Sequence, residues 1–305
     1  MTNTERNKKF RKERTRVLRS KTALQRDTLK EIDKQLKAAQ AQVKTILAAA
    51  PTEYEAFYLA QLQKAITQAM TDLGNQAGAT LSNSAGQAWQ LGLDLIEKPI
   101  EAGGLRISAV LPAVDTRQLV AMRHFMTDRM KDVGLQLANK INTELGLVAI
   151  GAETTGEATT VIASYLQTGG RSRAIGIIRT ELGTAFSSAT QQRQLQAKAF
   201  VPGLKKQWRR SGKTLSRVHH DLADGQKREV DEPFELHTKK GIVKMMYPRD
   251  PAVPIGERMH CGCESIPYME SWEMTNPGKM PFTPQELTDP NKRNLASAEP
   301  LRRTG

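Results

Sequence analysis

The chain has 305 residues, of which 39% are hydrophobic, only 5% aromatic and 25% charged. That is lean for one large globule and predicts elongated helices around modest cores. A net charge of +13 favours a polyanionic or acidic partner, and the absence of any apolar run near the roughly 20 residues of a membrane span excludes a transmembrane helix.

Residues 1–50 read as a basic helical arm. Eleven Lys and Arg residues fall within the first 30 positions, among them Lys8, Lys9, Arg11, Lys12, Arg14, Arg16 and Arg19, against three acidic residues. This excess reads either as the solvated face of a helix packed on its neighbour or as an arm that contacts nucleic acid or an acidic protein surface. The segment lacks the apolar stretch and cleavage site of a secretory signal. From Leu29 the positions Leu29, Ile32, Leu36, Val43 and Ile46 keep helical spacing, and Pro51 is expected to end the helix.

Residues 51–170 predict a helical domain. Tyr54, Phe57, Tyr58, Leu62, Ile66 and Met70 recur on one face. A Gly/Asn/Ser-rich stretch from Gly74 to Gly86 then reads as a break. Ile107–Leu111 is a strand or a helix by pattern. Asp115-Thr116 is placed to cap a long helix carrying Leu119, Met122, Phe125, Met126, Met130, Val133, Leu137 and Ile141, and this Met-rich stripe is expected to be core. Another helix is expected over about 155–166.

Residues 171–270 change character. After Arg179-Thr180-Glu181, in which Arg179 and Glu181 are candidates for an ion pair, helical periodicity gives way to short segments. Phe234–Leu236 and Ile242–Tyr247 flank Thr238-Lys239-Lys240-Gly241 and predict a small β-hairpin. Asp224-Gly225 and Asp250-Pro251 are turn signals. Residues 271–305 carry five prolines and no periodicity, and are expected to be an extended tail that orders against a partner. The fold class is therefore α+β: a mainly helical N-terminal half with long helices, a small α+β module with a hairpin, and a tail.

Both cysteines, Cys261 and Cys263, and four of the five histidines lie between Trp208 and Cys263. A Cys-x-Cys loop is too tight for an ordinary disulfide and predicts a reducing compartment. His220 or His260 with the two cysteines offers the soft ligand set of a structural zinc, with His219 and His237 as further candidates. The alternatives are a hydrogen-bonded turn cluster, with His220 and Arg217 set against Asp224 and Asp250, or a Cys/His nucleophile–base pair. No nucleophile elbow or oxyanion-hole motif accompanies the pair, and no enzyme is expected.

In order along the chain come Arg179-Thr180-Glu181, Trp208, Arg217, His220, Asp224-Gly225, Glu232-Pro233-Phe234, Pro248, Asp250-Pro251, Cys261, Cys263 and Pro267. This series, over about a third of the chain, resembles the Mu F-like (phage head morphogenesis) domain of minor head proteins of tailed bacteriophages. Five positions depart from that pattern. Ser187 replaces an Asn, Ala223 a Leu, Arg249 the Gly of Pro-Gly-Asp-Pro, His260 the Asn before the first cysteine, and Gly262 the Arg between the cysteines. The resemblance implies a minor capsid protein near the portal vertex of a phage or prophage head. Its partners would be the portal protein, the major capsid protein and phage DNA. It would reside in the virion, and in the host cytoplasm during assembly. A basic protein that binds nucleic acid without sequence preference is the alternative.

Overall fold

A computed structural model describes residues 1–49, 56–272 and 279–298. Pro51, Tyr54, the side chain of Phe57, Pro277 and Pro300 lie outside the described residues. In chain order the elements are α1 (Asn3–Ala48), α2 (Ala56–Ala102), α3 (Arg117–Ala149), α4 (Thr155–Ser164), a π-helical turn (Tyr165–Gly170) and α5 (Arg171–Lys198). Then follow β1 (Leu204–Arg209), α6 (Val218–Leu222), β2 (Lys227–Glu229), β3 (Phe234–Thr238), β4 (Gly241–Met245), α7 (Ile255–Arg258), β5 (Glu264–Met269) and α8 (Pro290–Ala298). The class is α+β with a helical N-terminal half, as expected.

The chain forms two compact units: residues 1–22, 87–116 and 183–305, and residues 23–86 and 117–182. This division does not follow the linear segments 1–50, 51–170, 171–270 and 271–305. The long helices α1, α2 and α5 each contribute residues to both units.

In the all-helical unit the apolar stripes are mostly buried as their spacing predicts, but Tyr58 of α2 and Phe125 of α3 are exposed. Ile32, Leu36, Ala39 and Val43 are buried on α1, and Met126, Met130, Val133, Leu137 and Ile141 on α3. The expected break at Gly74–Gly86 does not occur, because α2 runs through it as unbroken helix. A Cβ at Gly74 would stand 3.0 Å from Lys131 Cα, and one at Gly134 only 2.3 Å from Met70 O. These glycines let the backbones of α2 and α3 touch, and that contact offsets the roughly 1 kcal/mol each costs inside a helix. Ile107–Leu111 is neither strand nor helix, but a series of turns. At the start of α4, Thr154 Oγ1 accepts from Glu157 N at 3.3 Å while the Glu157 carboxylate accepts from Thr154 N at 2.9 Å, a reciprocal cap.

The other unit holds the strands. An antiparallel sheet has the order β2-β1-β5, with Trp208 opposite Ser265 and Arg209 opposite Glu264. The predicted hairpin is β3–β4, in which Phe234 pairs with Met245 and Thr238 with Gly241. Gly241 takes a φ of 125°, open to glycine alone at little cost. One core joins Phe10, Ile96, Ile100, Leu204, Val230, Met269 and Trp272. A second, beneath the hairpin, joins Trp208, Ala223, Phe234, Leu236, Met245, Val253, Cys261 and Cys263.

Two expectations are corrected here. The first 22 residues are not a free arm, because Phe10 is fully buried with its ring edge-on to Trp272 at 5.5 Å, and Val17 is buried as well. Nor do residues 279–298 wait for a partner. Arg210 donates to the carbonyls of Met280 at 3.0 Å and Pro281 at 2.8 Å, and it ion-pairs with Glu286, which also takes Lys292 Nζ at 3.0 Å. The charges of Glu286 and Lys292 are thus met within the chain itself.

Candidate functional site

The turns build the site. Gly225, at a φ of 82°, donates its N–H to Trp208 O at 2.9 Å, while Trp208 N donates to Gln226 O at 2.8 Å. This closes the loop after β1 and carries the short helix α6 back over the sheet. Asp224 fastens the loop from outside, accepting from Arg210 N at 2.8 Å and Met280 N at 2.5 Å. Trp208 then sets the height of α6, since its indole Nε1 donates to His220 O at 3.0 Å and its ring lies edge-on to His220 and to Phe234.

His220 is buried, with Nδ1 3.5 Å from Cys261 Sγ and 3.8 Å from Cys263 Sγ. Its other nitrogen, Nε2, meets Glu257 Oε2 at 2.9 Å, and the same oxygen receives His219 Nε2 at 2.8 Å. A carboxylate at Nε2 holds the ring proton there and leaves the Nδ1 lone pair aimed at the two sulfurs. Burial works to raise the Glu257 pKa, but the two imidazole hydrogen bonds outweigh it and hold the group below the ordinary carboxylate value. Arg217 buttresses the same corner, donating to Met259 O at 2.9 Å.

Both cysteines are reduced and buried. The hydrogen bond from Cys263 and the positive charge of Arg249 outweigh burial and hold the Cys261 thiol well below its usual pKa. That same bond with Cys261, and burial, push Cys263 well above its own. With His220 Nδ1 the two sulfurs form a set of donors all within 4.8 Å of one another.

Arg249 holds the cysteine turn. Its guanidinium donates to Cys261 O and Cys263 O, each at 2.8 Å, to Ser187 Oγ at 2.6 Å, and to Glu264 Oε2 at 2.8 Å. Lys21 ion-pairs with the other oxygen of Glu264. Burial lowers the Lys21 pKa to about 8. Asp250 supports the turn from beside Arg249, its carboxylate accepting from Met246 N and Ala252 N at 2.9 Å each. Pro251 O accepts from Arg258 Nη1 at 3.1 Å.

Among the described residues, two other than glycine have a positive φ: Arg249 at 71° and His260 at 55°. A left-handed conformation costs a side-chain-bearing residue on the order of 1–2 kcal/mol and is cheapest for Gly, then Asn. His260 sits just past α7, reversing the chain so that both cysteines turn inward while its own side chain stays exposed.

Of the metal candidates, His220, Cys261 and Cys263 come together. His219 falls in a second group, with His220 and Glu257, and His237 and His260 are exposed. The alternative cluster does not form as drawn. Asp224 and Asp250 each cap backbone N–H groups, and the carboxylate facing His220 and Arg217 is Glu257. Glu181 pairs with Arg129 rather than Arg179, since residues two apart on α5 point to opposite sides, and Arg179 is exposed. Lys8, Lys9, Arg11, Lys12, Arg16 and Arg19 are exposed along α1. Arg14 is buried, lies over the Phe10 ring and has its pKa lowered to about 10 by burial, so it leaves the list of partner contacts.

Sequence reasoning missed Glu257, Glu264, Lys21, Arg210 and Glu286. For Glu257 one signal existed: an acidic residue in the first turn of a helix opened by Pro254, four residues before Cys261. The others are ordinary charges that only the fold buries.

No family model and no solved structure matches the chain. Over 131 residues it is 31% identical to an uncharacterized Bacillus subtilis (strain 168) protein, YqbB, covering 42% of this chain and 39% of that relative. The chain therefore spans about two fifths of the relative's length. Among the described residues no helix is long and apolar enough to cross a membrane.

Proposed function

We propose that this chain is a minor head protein of a tailed phage or prophage, docked near the portal vertex and acting in head assembly. Its role is structural rather than catalytic. The observation that carries the reading is the backbone at Arg249 and His260. Both positions depart from the Mu F-like pattern, which has Gly and Asn there, and both hold the left-handed conformation that Gly and Asn favour. A further departure, Ser187, is a partner of the Arg249 guanidinium, which spans the carbonyls on either side of Gly262. These changes are local replacements inside one retained turn. Burial of both thiols also keeps a substrate away from the Cys/His pair.

The portal contact falls to α1, whose exposed Lys8, Lys9, Arg11, Lys12, Arg16 and Arg19 offer an acidic partner or DNA phosphate a long basic face. That face also favours a second reading, binding to nucleic acid without sequence preference. Phe10, the one aromatic residue of the first 30, is buried, so α1 offers no base-stacking surface. The test is co-purification with the tagged portal protein encoded beside it, at increasing salt. Stoichiometric co-elution that falls with salt, and is lost when Lys8, Lys12 and Arg19 are all changed to Glu, is expected. Retention on DNA with no portal co-elution at low salt overturns the head-protein reading in favour of the second. Deleting residues 1–22 is unsuitable, because it removes Phe10 and Val17 from a core.

A further inference from the structure

We infer that His220 Nδ1, Cys261 Sγ and Cys263 Sγ bind a single zinc ion, oriented by Glu257, and that this ion cross-links α6 to the turn between α7 and β5. The inference stands whether or not the chain is a head protein. Three independent features of the site point to a metal.

The spacing fits. Zn–S bonds of about 2.3 Å and a Zn–N bond of about 2.0–2.1 Å at a tetrahedral angle put nitrogen and sulfur about 3.6 Å apart. The observed separations are 3.5 and 3.8 Å. Both nitrogen–sulfur sides of the triangle thus stand within a few tenths of an ångström of the coordinated spacing.

The orientation fits as well. A metal-ligating imidazole must present a bare nitrogen and anchor the other, most often on a carboxylate. His220 does both, with Glu257 Oε2 on Nε2 at 2.9 Å and Trp208 Nε1 on the His220 carbonyl at 3.0 Å. Glu257 is in turn held by His219. Glu257 thus fixes the ring and Trp208 the backbone that carries it.

Charge is the third feature. Two thiolates without a cation would be costly among Trp208, Phe234 and Met245. On binding, the thiols give their protons to solvent and the two sulfur charges balance those of the ion. The guanidinium of Arg249 already draws the Cys261 and Cys263 carbonyls to one side, which turns both sulfurs toward His220. The chain supplies three donors and solvent the fourth.

The site lies where a cross-link has most effect. His220 and Cys261 are 41 residues apart, one in a helix of 5 residues and the other in the turn after a helix of 4, short pieces that cannot hold themselves together.

The test uses the full chain, purified reduced and without chelator, with metal content measured by elemental analysis. One zinc per chain is expected, and Cys261→Ser or His220→Ala should lose it. Exchange for cobalt should give the intense near-ultraviolet band of thiolate-to-cobalt charge transfer together with visible bands of tetrahedral strength. Because removing a ligand can unfold the module, Glu257→Gln supplies the second measurement. All three ligands remain, and zinc affinity read by competition with a chromophoric chelator should fall roughly 10–100-fold. Folded wild-type protein that carries no zinc and develops no charge-transfer band with cobalt would overturn the site. Unchanged affinity in Glu257→Gln would overturn the role of Glu257.

Discussion

The α2–α3 pair and the turn cluster around His220 hold themselves together by opposite means. Between α2 and α3 the contact is apolar and close, with Met70, Met130 and Val133 buried and glycines letting the backbones meet. Around His220 the chain is mostly loop, and buried polar groups do the holding: Arg249, Glu264, Asp224 and His220 are each less than 9% exposed. In the first region a substitution changes how well volumes fit. In the second it leaves a named partner buried and unsatisfied, which costs more and spreads further.

The comparison breaks most sharply at Trp208. Trp208→Ala removes the largest fully buried side chain and the donor to His220 O, and should cost about 3–5 kcal/mol in urea unfolding. A loss under about 1 kcal/mol would mean the cluster does not depend on it. Arg249→Met comes next. It keeps most of the volume but removes one partner of Glu264, leaving it to Lys21, and strands two buried carbonyls, for an expected loss of about 3 kcal/mol. A neutral outcome would place the strength of the cysteine turn elsewhere.

In the helical region the same comparison is sharpened by two glycines of α3. At Gly134 a Cβ would meet Met70 O at 2.3 Å, so Gly134→Ala should destabilise by about 1–3 kcal/mol. At Gly146 nothing lies within 4 Å, and Gly146→Ala should stabilise by up to about 1 kcal/mol. If both lower the melting temperature equally, close packing is not why glycine stands at 134.

The smallest effect is a pH dependence at Glu286. Burial raises its pKa, but the bonds from Arg210, Thr283 and Lys292 prevail and bring it from 4.5 to about 2. The folded carboxyl therefore stays ionised where the unfolded one binds a proton. Its stabilisation is fully present above about pH 4.5 and disappears as pH falls toward 2. Thermal melts between pH 5 and 2.5 should show a steeper decline for the wild type than for Glu286→Gln. Parallel curves would show that the Arg210–Glu286 pair adds nothing to the cluster.

The stripes of α1 and α3 and the β3–β4 hairpin were legible from sequence, because spacing of 3.6 or 2 and a Lys-Gly turn are local properties. So was the gathering of His220 with Cys261 and Cys263 at the level of residue types, although not the choice of His220 over His260. That choice depends on a left-handed residue turning its own side chain outward, which no periodicity reveals. The unbroken helix through Gly74–Gly86 was illegible for the converse reason: local rules price glycine as a helix breaker, and only α3 supplies the contact that reverses the balance.

Sequence alone thus determined the α+β class, the basic face of α1 and the turn positions at Asp224-Gly225 and Asp250-Pro251, all of which follow from neighbours a few residues apart. Tertiary structure alone decided which charges are buried. Arg14 and Lys21 look like their exposed neighbours in α1, and Glu257, Glu264 and Glu286 look like any surface acids. Each gains its role from a partner tens to hundreds of residues away in the chain, and desolvation acts only once the fold has closed around the pair.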